Sequence, residues 1–169
     1  MSPILLKRMI DREKILNLVK EKLDEGTFLV DVNVNTSNVI HVELDSFTGL
    51  SIHQCVAVSR HVESNLDRDT EDFELQVSSP GVGQPFKVKE QYLKNTGREL
   101  ELNLKSGAVL KGLLIESNEK DILIETSAKE KPEGSNKKVF VTSTHKVPYE
   151  EIEKARVIIS FKNNIGNHG

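Results

Sequence analysis

The side chains equipped for nucleophilic or metal-assisted chemistry fall in two places in this sequence. One is the group His53, Cys55 and His61, the other the serine pair Ser78-Ser79. Two histidines one turn apart on a helix can hold a zinc ion, but eight positions separate His53 from His61. At 100° per residue that leaves them about 80° out of register, and no carboxylate stands four positions after either. A thiolate nucleophile needs a base beside it; His53, two positions before Cys55, faces away on a helix, so Cys55 reads as a small core residue. Ser78-Ser79 lacks the G-x-S-x-G elbow. Gly81-Val82-Gly83 leads into a loop with Pro85, not into a helix, so it is no nucleotide fingerprint. No paired carboxylates recur at the spacing of a catalytic dyad. The expectation is no catalytic residue, no metal site, no cofactor and no small-molecule substrate.

The composition narrows the classes that remain. Of 169 residues 37% are hydrophobic, enough for one domain or two small ones, while aromatics make up 5% and Trp is absent. The single cysteine excludes an intrachain disulfide and suits a reducing compartment. No apolar run approaches the ~20 residues of a membrane span, and the charged helix after Met1-Ser2-Pro3 is unlike a signal peptide. The chain is therefore expected to be soluble and cytoplasmic, without a membrane partner, and monomeric. The net charge of −3 conceals two halves: residues 1–80 hold 8 Lys/Arg against 14 Asp/Glu, residues 81–169 hold 15 against 12. Surfaces of opposite sign suggest different partners.

These groups are positioned by two runs of elements that meet in the stretch Phe73–Lys87. Phe73, Leu75 and Val77 alternate with Glu74 and Gln76 as in a strand with one buried face. The alternation stops at Ser78-Ser79-Pro80-Gly81, where Pro80 fixes its own φ and Gly81 permits a positive one. Before the stretch, Ile15, Leu18, Val19 and Leu23 mark a helix capped by Asp11 and stopped by Gly26. Strands Thr27–Asn33 (Phe28, Val30 and Val32 on one face) and Val39–Leu44 form a hairpin about Asn35–Asn38. Ser51 and Gln54 then make a capping-box pattern at the head of a helix with Val58 and Val62 on its stripe. The order α-β-β-α-β packs most economically as a three-stranded sheet with both helices on one face.

After the stretch, a helical turn around Tyr92 ends at Gly97. Short strands follow at Glu99–Leu104, Val109–Glu116, Ile122–Thr126, Val139–Thr142 and Ala155–Phe161, with a polar segment at Ser127–Lys138 and a 3₁₀ turn at Pro148–Ile152. Gly112 stands in mid-strand as a bending point. Five short strands joined by tight turns suggest closure into a small barrel. The expected domains are residues 1–83 and 84–169, with Lys162–Gly169 as a disordered tail.

Four stretches, in order, resemble the bacterial ribosome maturation factor RimP family. They are Phe28-Leu29-Val30-Asp31-Val32, Cys55-Val56-Ala57-Val58-Ser59-Arg60, Val77-Ser78-Ser79-Pro80-Gly81 with Pro85 after it, and the run Val147–Arg156. The resemblance covers roughly residues 12–161. It implies an α+β protein whose αββαβ domain precedes an Sm-like (SH3-like) barrel. It also implies a non-catalytic factor that binds the free small ribosomal subunit and promotes its maturation; the acidic first half argues for contact there with a basic ribosomal protein, with rRNA nearby. Other readings are a small Sm-like RNA-binding module or a protein–protein adaptor. An Sm-type RNA site wants an aromatic platform, and Phe86, Tyr92, Phe140, Tyr149 and Phe161 form no clustered pair in the sequence, which weighs against the first of these.

Two places depart from the family pattern. The motif usually continues Leu-Asp-Arg-Pro-Leu, and here it reads Val82-Gly83-Gln84-Pro85-Phe86, so Gln84 replaces an arginine with a neutral hydrogen-bonding group. Ser78, Ser79, Pro80, Gly81, Gln84 and Pro85 are expected to form a joint or docking motif. The segment 127–146 is longer than usual and holds Lys129, Lys131, Lys137, Lys138 and Lys146 against Glu130 and Glu133. It is read either as a basic arm for rRNA phosphates or as a solvated hairpin tip.

Overall fold

In the computed structural model, residues 10–159 are described apart from Pro132 and Ser135. Expectations for Ile4–Met9, Phe161 and the tail Lys162–Gly169 lie outside the described residues. The chain divides into two compact units between Pro80 and Gly81.

The first unit is built from α1 (Arg12–Lys20), β1 (Thr27–Val34), β2 (Val39–Ser46), α2 (Ile52–Ser64) and β3 (Glu74–Ser78). The sheet order is β1-β2-β3; β1 and β2 are an antiparallel hairpin, and β3 returns parallel to β2 after the crossover helix α2. Ile15 and Val19 of α1 and Val58 and Val62 of α2 are fully buried against Val32, Ile40, Val42 and Leu44. Asp11 caps α1 as its spacing predicts, accepting from the Glu13 amide at 3.1 Å. The helix ends at Lys20, well before Gly26, which lies in the following turn.

Two local readings change. The ladder slips between Leu29 and Asp31, and a bulge reverses which face the preceding residues occupy. Leu29 therefore packs against the core while Phe28 meets the Phe47 ring at 5.0 Å, so Phe28 does not share a face with Val32. The capping box is half formed. Ser51 Oγ accepts from the Gln54 amide at 3.1 Å, but the buried Gln54 side chain reaches across to the α1–β1 connection, donating to the Lys22 carbonyl and accepting from the Asp24 amide.

The second unit holds α3 (Lys89–Lys94), β4 (Glu99–Leu104), β5 (Val109–Ser117), β6 (Asp121–Glu130), β7 (Val139–Pro148), a 3₁₀ turn (Tyr149–Glu151) and β8 (Ile152–Val157). The strands form one antiparallel sheet in the order β7-β6-β5-β4-β8. Its core is Leu100 and Leu102 of β4, Leu114 of β5, Ile122 and Ile124 of β6, Val147, Ala155 and Tyr92. The ladder is open: β7 pairs with β6 and β8 with β4, and no hydrogen-bonded pairing joins β7 to β8. What is observed is a five-stranded antiparallel sheet, not a closed barrel. Gly112 marks a close approach of two strands, because a Cβ there would stand 2.4 Å from the Glu125 carbonyl oxygen.

Candidate functional site

In the first unit, the sheet face turned away from the helices is polar by parity. Residues opposite one another on paired strands share a face, so Asp31 and Asn33 of β1, His41 and Glu43 of β2, and Glu74, Gln76 and Ser78 of β3 form one surface. Asp45 of β2, opposite Phe28, lies on the same face, which so carries four carboxylates; Arg12 approaches Asp31 at 3.9 Å from the sheet edge and donates to the Val32 carbonyl at 2.7 Å. Ser78 is anchored here, its hydroxyl 2.9 Å from His41 Nε2. Ser79 is exposed and Pro80 half-buried.

In the second unit, Gly81–Gln84 is a tight turn closed by the Gln84 amide donating to the Gly81 carbonyl at 3.2 Å. The positive φ that Gly81 would permit is taken by Gly83, at +80°, the third turn position where a type II turn demands it. Gln84 and Pro85 are exposed. The following residues lie along β8, where the Phe86 amide donates to the Ala155 carbonyl at 2.8 Å.

The lysine-bearing segment is a ribbon: Val139–Thr142 is strand as expected, and Ser127–Glu130, expected within a polar connection, is strand as well. β6 and β7 pair without a slip from Asp121↔Pro148 to Glu130↔Val139, but β5 follows β6 only as far as Glu125. Residues 126–130 and 139–143 thus project as a two-stranded extension, exposed on both faces. Lys129 lies on it opposite Phe140, and Lys131, Lys137 and Lys138 lie in the turn at its tip. Lys146 is apart from these, at the base opposite Leu123, with its ammonium 3.9 Å from Asp121.

The structure also assembles an aromatic cluster from the residues that looked unclustered. Tyr92 packs edge-on against Phe86 and Tyr149, at 4.9 and 5.1 Å between centroids. Lys89 reaches over Tyr149 and donates to the Glu119 carbonyl at 2.7 Å. A shallow groove of about 200 Å³ runs past Phe86, Lys87, Lys89, Tyr149 and Lys154. Tyr92 itself is buried, and desolvation pushes its phenol up to about 12, with the Tyr149 phenol adding to the shift, so the cluster serves mainly as core. Its members are scattered in sequence, and the one signal for it was the 3₁₀ turn that returns Tyr149 to α3.

The groups considered for chemistry are spread out. His61 Nε2 meets Glu21 at 2.8 Å between α2 and α1, and His53 is exposed. Burial raises the Cys55 thiol, opposite to what an activated nucleophile needs. Among the described residues no three His, Cys, Asp or Glu side chains are grouped to hold a metal ion, and no helix is long and apolar enough to cross a membrane.

Comparison with known proteins gives these surfaces a context. The RimP N-terminal domain family matches residues 15–83. The ribosome maturation factor RimP of Flavobacterium psychrophilum is 37% identical over 155 residues, covering 90% of this chain and all 100% of the relative. Its namesake from Porphyromonas gingivalis is 42% identical over 152 residues, covering 89% of this chain and 100% of its own. That of Christiangramia forsetii is 36% identical over 153 residues, covering 89% and 99%. Identity at this level along both units shows that this chain belongs to the RimP family of ribosome maturation factors.

Proposed function

We propose that the protein is a non-catalytic cytoplasmic ribosome assembly factor that binds the free small ribosomal subunit as a monomer and promotes its maturation. The observation that carries this reading is near-full-length similarity, across both units, to relatives named for ribosome maturation. Two surfaces of opposite sign fit it. The open sheet face of the first unit, with Asp31, Glu43 and Glu74, suits a basic ribosomal protein, and Ser78 belongs to that face. The ribbon of the second unit, with Lys129, Lys131, Lys137 and Lys138, suits rRNA phosphates, and the exposed Gln84–Pro85 turn adds a neutral docking point. Lys146, paired with Asp121, contributes at most at the ribbon's base. In this reading the five-stranded sheet is an opened Sm-like barrel, supported by the 3₁₀ turn that carries the chain from one sheet edge to the other.

Sedimentation with purified small subunits, large subunits and joined ribosomes tests the proposal. Co-migration with free small subunits alone is expected. Binding should weaken with salt, and four lysines on phosphates set a ceiling of roughly 3 on the log–log slope. Lys131→Glu with Lys138→Glu should lower that slope by roughly 1–2. Equal binding to all particles, or to none, would defeat the assignment; an unchanged slope would reduce the ribbon to a solvated tip.

A further inference from the structure

The ribbon carries one feature that phosphate contacts do not use, an aromatic ring held in solvent. Phe140 is 71% exposed and belongs to neither core cluster. Residues opposite one another on an antiparallel pair share a face, so Lys129 and Phe140 stand together, with Ser127 and Thr142 beside them. The Lys129 ammonium lies 5.4 Å from the ring centroid. The other face shows Ala128, Val139 and Val141, smaller groups with no cation among them. A two-stranded ribbon is marginally stable in water, and an exposed Phe contributes to its folding only the cross-strand contact with Lys129. The exposed ring is thus available to a group outside the chain.

We propose that the ribbon reads single-stranded RNA, with Phe140 stacking on an unpaired base while Lys129 and the tip lysines hold the adjoining phosphates. This deepens the ribosome-binding reading and rests on it for the presence of RNA. The charge of the ribbon and its tip, Lys129, Lys131, Lys137 and Lys138 against Glu130 and Glu133, favours a polyanion over a protein strand. The pairing of ring and lysine favours a base with its phosphate, since stacking is tolerant of sequence and gains from a neighbouring cation. The base must be unpaired. The major groove of an A-form helix is too deep and narrow for side chains to read, whereas splayed-out bases in loops are available for stacking.

The test uses the full-length protein with a fluorescently labelled single-stranded RNA and its matched duplex. Wild type should bind the single strand more tightly. Phe140→Ala should weaken that binding by about 5- to 150-fold, the range a stacked base supplies, with little change on the duplex. Phe140→Tyr should restore most of the affinity, and thermal melts should coincide, because the side chain is not in the core. Equal losses on single strand and duplex would overturn the stacking role, as would an unaffected Phe140→Ala. Concentration-dependent self-association abolished by Phe140→Ala would overturn it too, assigning the unpaired β7 edge to a second copy. Small-subunit sedimentation, run alongside, keeps the two ideas separate. Wild type that sediments with subunits while Phe140→Ala changes no RNA affinity defeats the stacking inference alone. Failure to sediment defeats the ribosomal reading, and the oligonucleotide result still decides whether Phe140 stacks.

Discussion

Gly112→Ala should be the most damaging single-methyl addition in the second unit. Gly112 sits on β5 opposite Leu100 of β4, one residue past the last β5–β6 pair, Leu113↔Glu125. β6 crosses it there on the way into the ribbon. A Cβ would lie 2.4 Å from the Glu125 carbonyl oxygen, 2.7 Å from Ile124 Cγ2 and 3.0 Å from the Glu125 carbonyl carbon. Carbon–oxygen contacts in sheets lie at about 3.3–3.6 Å, so β6 would have to retreat by roughly 1 Å. Overpacking typically costs about 1–3 kcal/mol where side chains can turn aside. Two of the three obstructing atoms are backbone of a strand paired on its far side, so the upper end applies, about 3 kcal/mol. For a unit of this size each kcal/mol lowers the melting temperature by about 4–8 °C, which gives a fall of roughly 12–24 °C. Calorimetry would read the fall, and native-state amide exchange would place it in β5 and β6, leaving β1–β3 protected. Gly81→Ala is the matched control: its nearest neighbour is the flexible Gln84 side chain, at 3.3 Å. If Gly112→Ala melts within a degree or two of Gly81→Ala, the close approach is not what makes a glycine necessary.

Gly83→Ala should cost about 1–2 kcal/mol, because an L side chain is strained at φ +80° and its Cβ would meet Ile159 Cδ1 at 3.0 Å. Gly81→Ala should cost almost nothing, and denaturant midpoints in the reverse order would refute the assignment of the turn. Tyr92 predicts an alkaline limit on stability. Its folded pKa is raised from 10.0 to about 12, so its contribution is complete below pH 10 and is lost as pH rises through about 12. Tyr92→Phe should flatten that part of the stability–pH curve, and an unaltered slope would show that another group is responsible. Gln84→Arg, on an exposed turn, should leave the melting temperature within about a degree while changing small-subunit affinity; affinity and melting that move together would make the turn purely structural.

Where a sheet has one wet face, the fold was legible. β1, β2 and β4 alternate because one side meets a core, and Asp11, Ser51 and the Asn35–Asn38 turn announce themselves by residue type. The errors came where a second constraint competed. The slip at Leu29–Asp31 exchanged faces without breaking the apolar run, so Phe28 looked like a partner of Val32. Gln54 stood where a capping box wants it, but its amide found two backbone groups of the α1–β1 connection unsatisfied, and a buried site gains more from pairing those than from a reciprocal cap. In the turn, Gly81 and Gly83 were equally free to take the positive φ; the hydrogen bond from Gln84 to Gly81 selects Gly83.

The candidate site was harder to read, and its reasons are physical. Ser127–Glu130 looked like a connection because neither face of the ribbon is buried, and burial is what makes alternation visible. Val139–Thr142 was legible as a strand, since β-branched and aromatic residues favour extended backbone with or without a core, but its partner strand was not. Aromatic residues were weighed by whether they cluster, and the structure shows that clustering and availability oppose each other here. Phe86, Tyr92 and Tyr149 do meet, but Tyr92 spends its ring on the core, and a ring committed there cannot be offered to a base. Phe140, set aside with the others because it lies in no clustered pair, keeps its ring in solvent beside a lysine. A stacking platform needs exposure next to positive charge, and among the described residues Phe140 is the most exposed ring that has it.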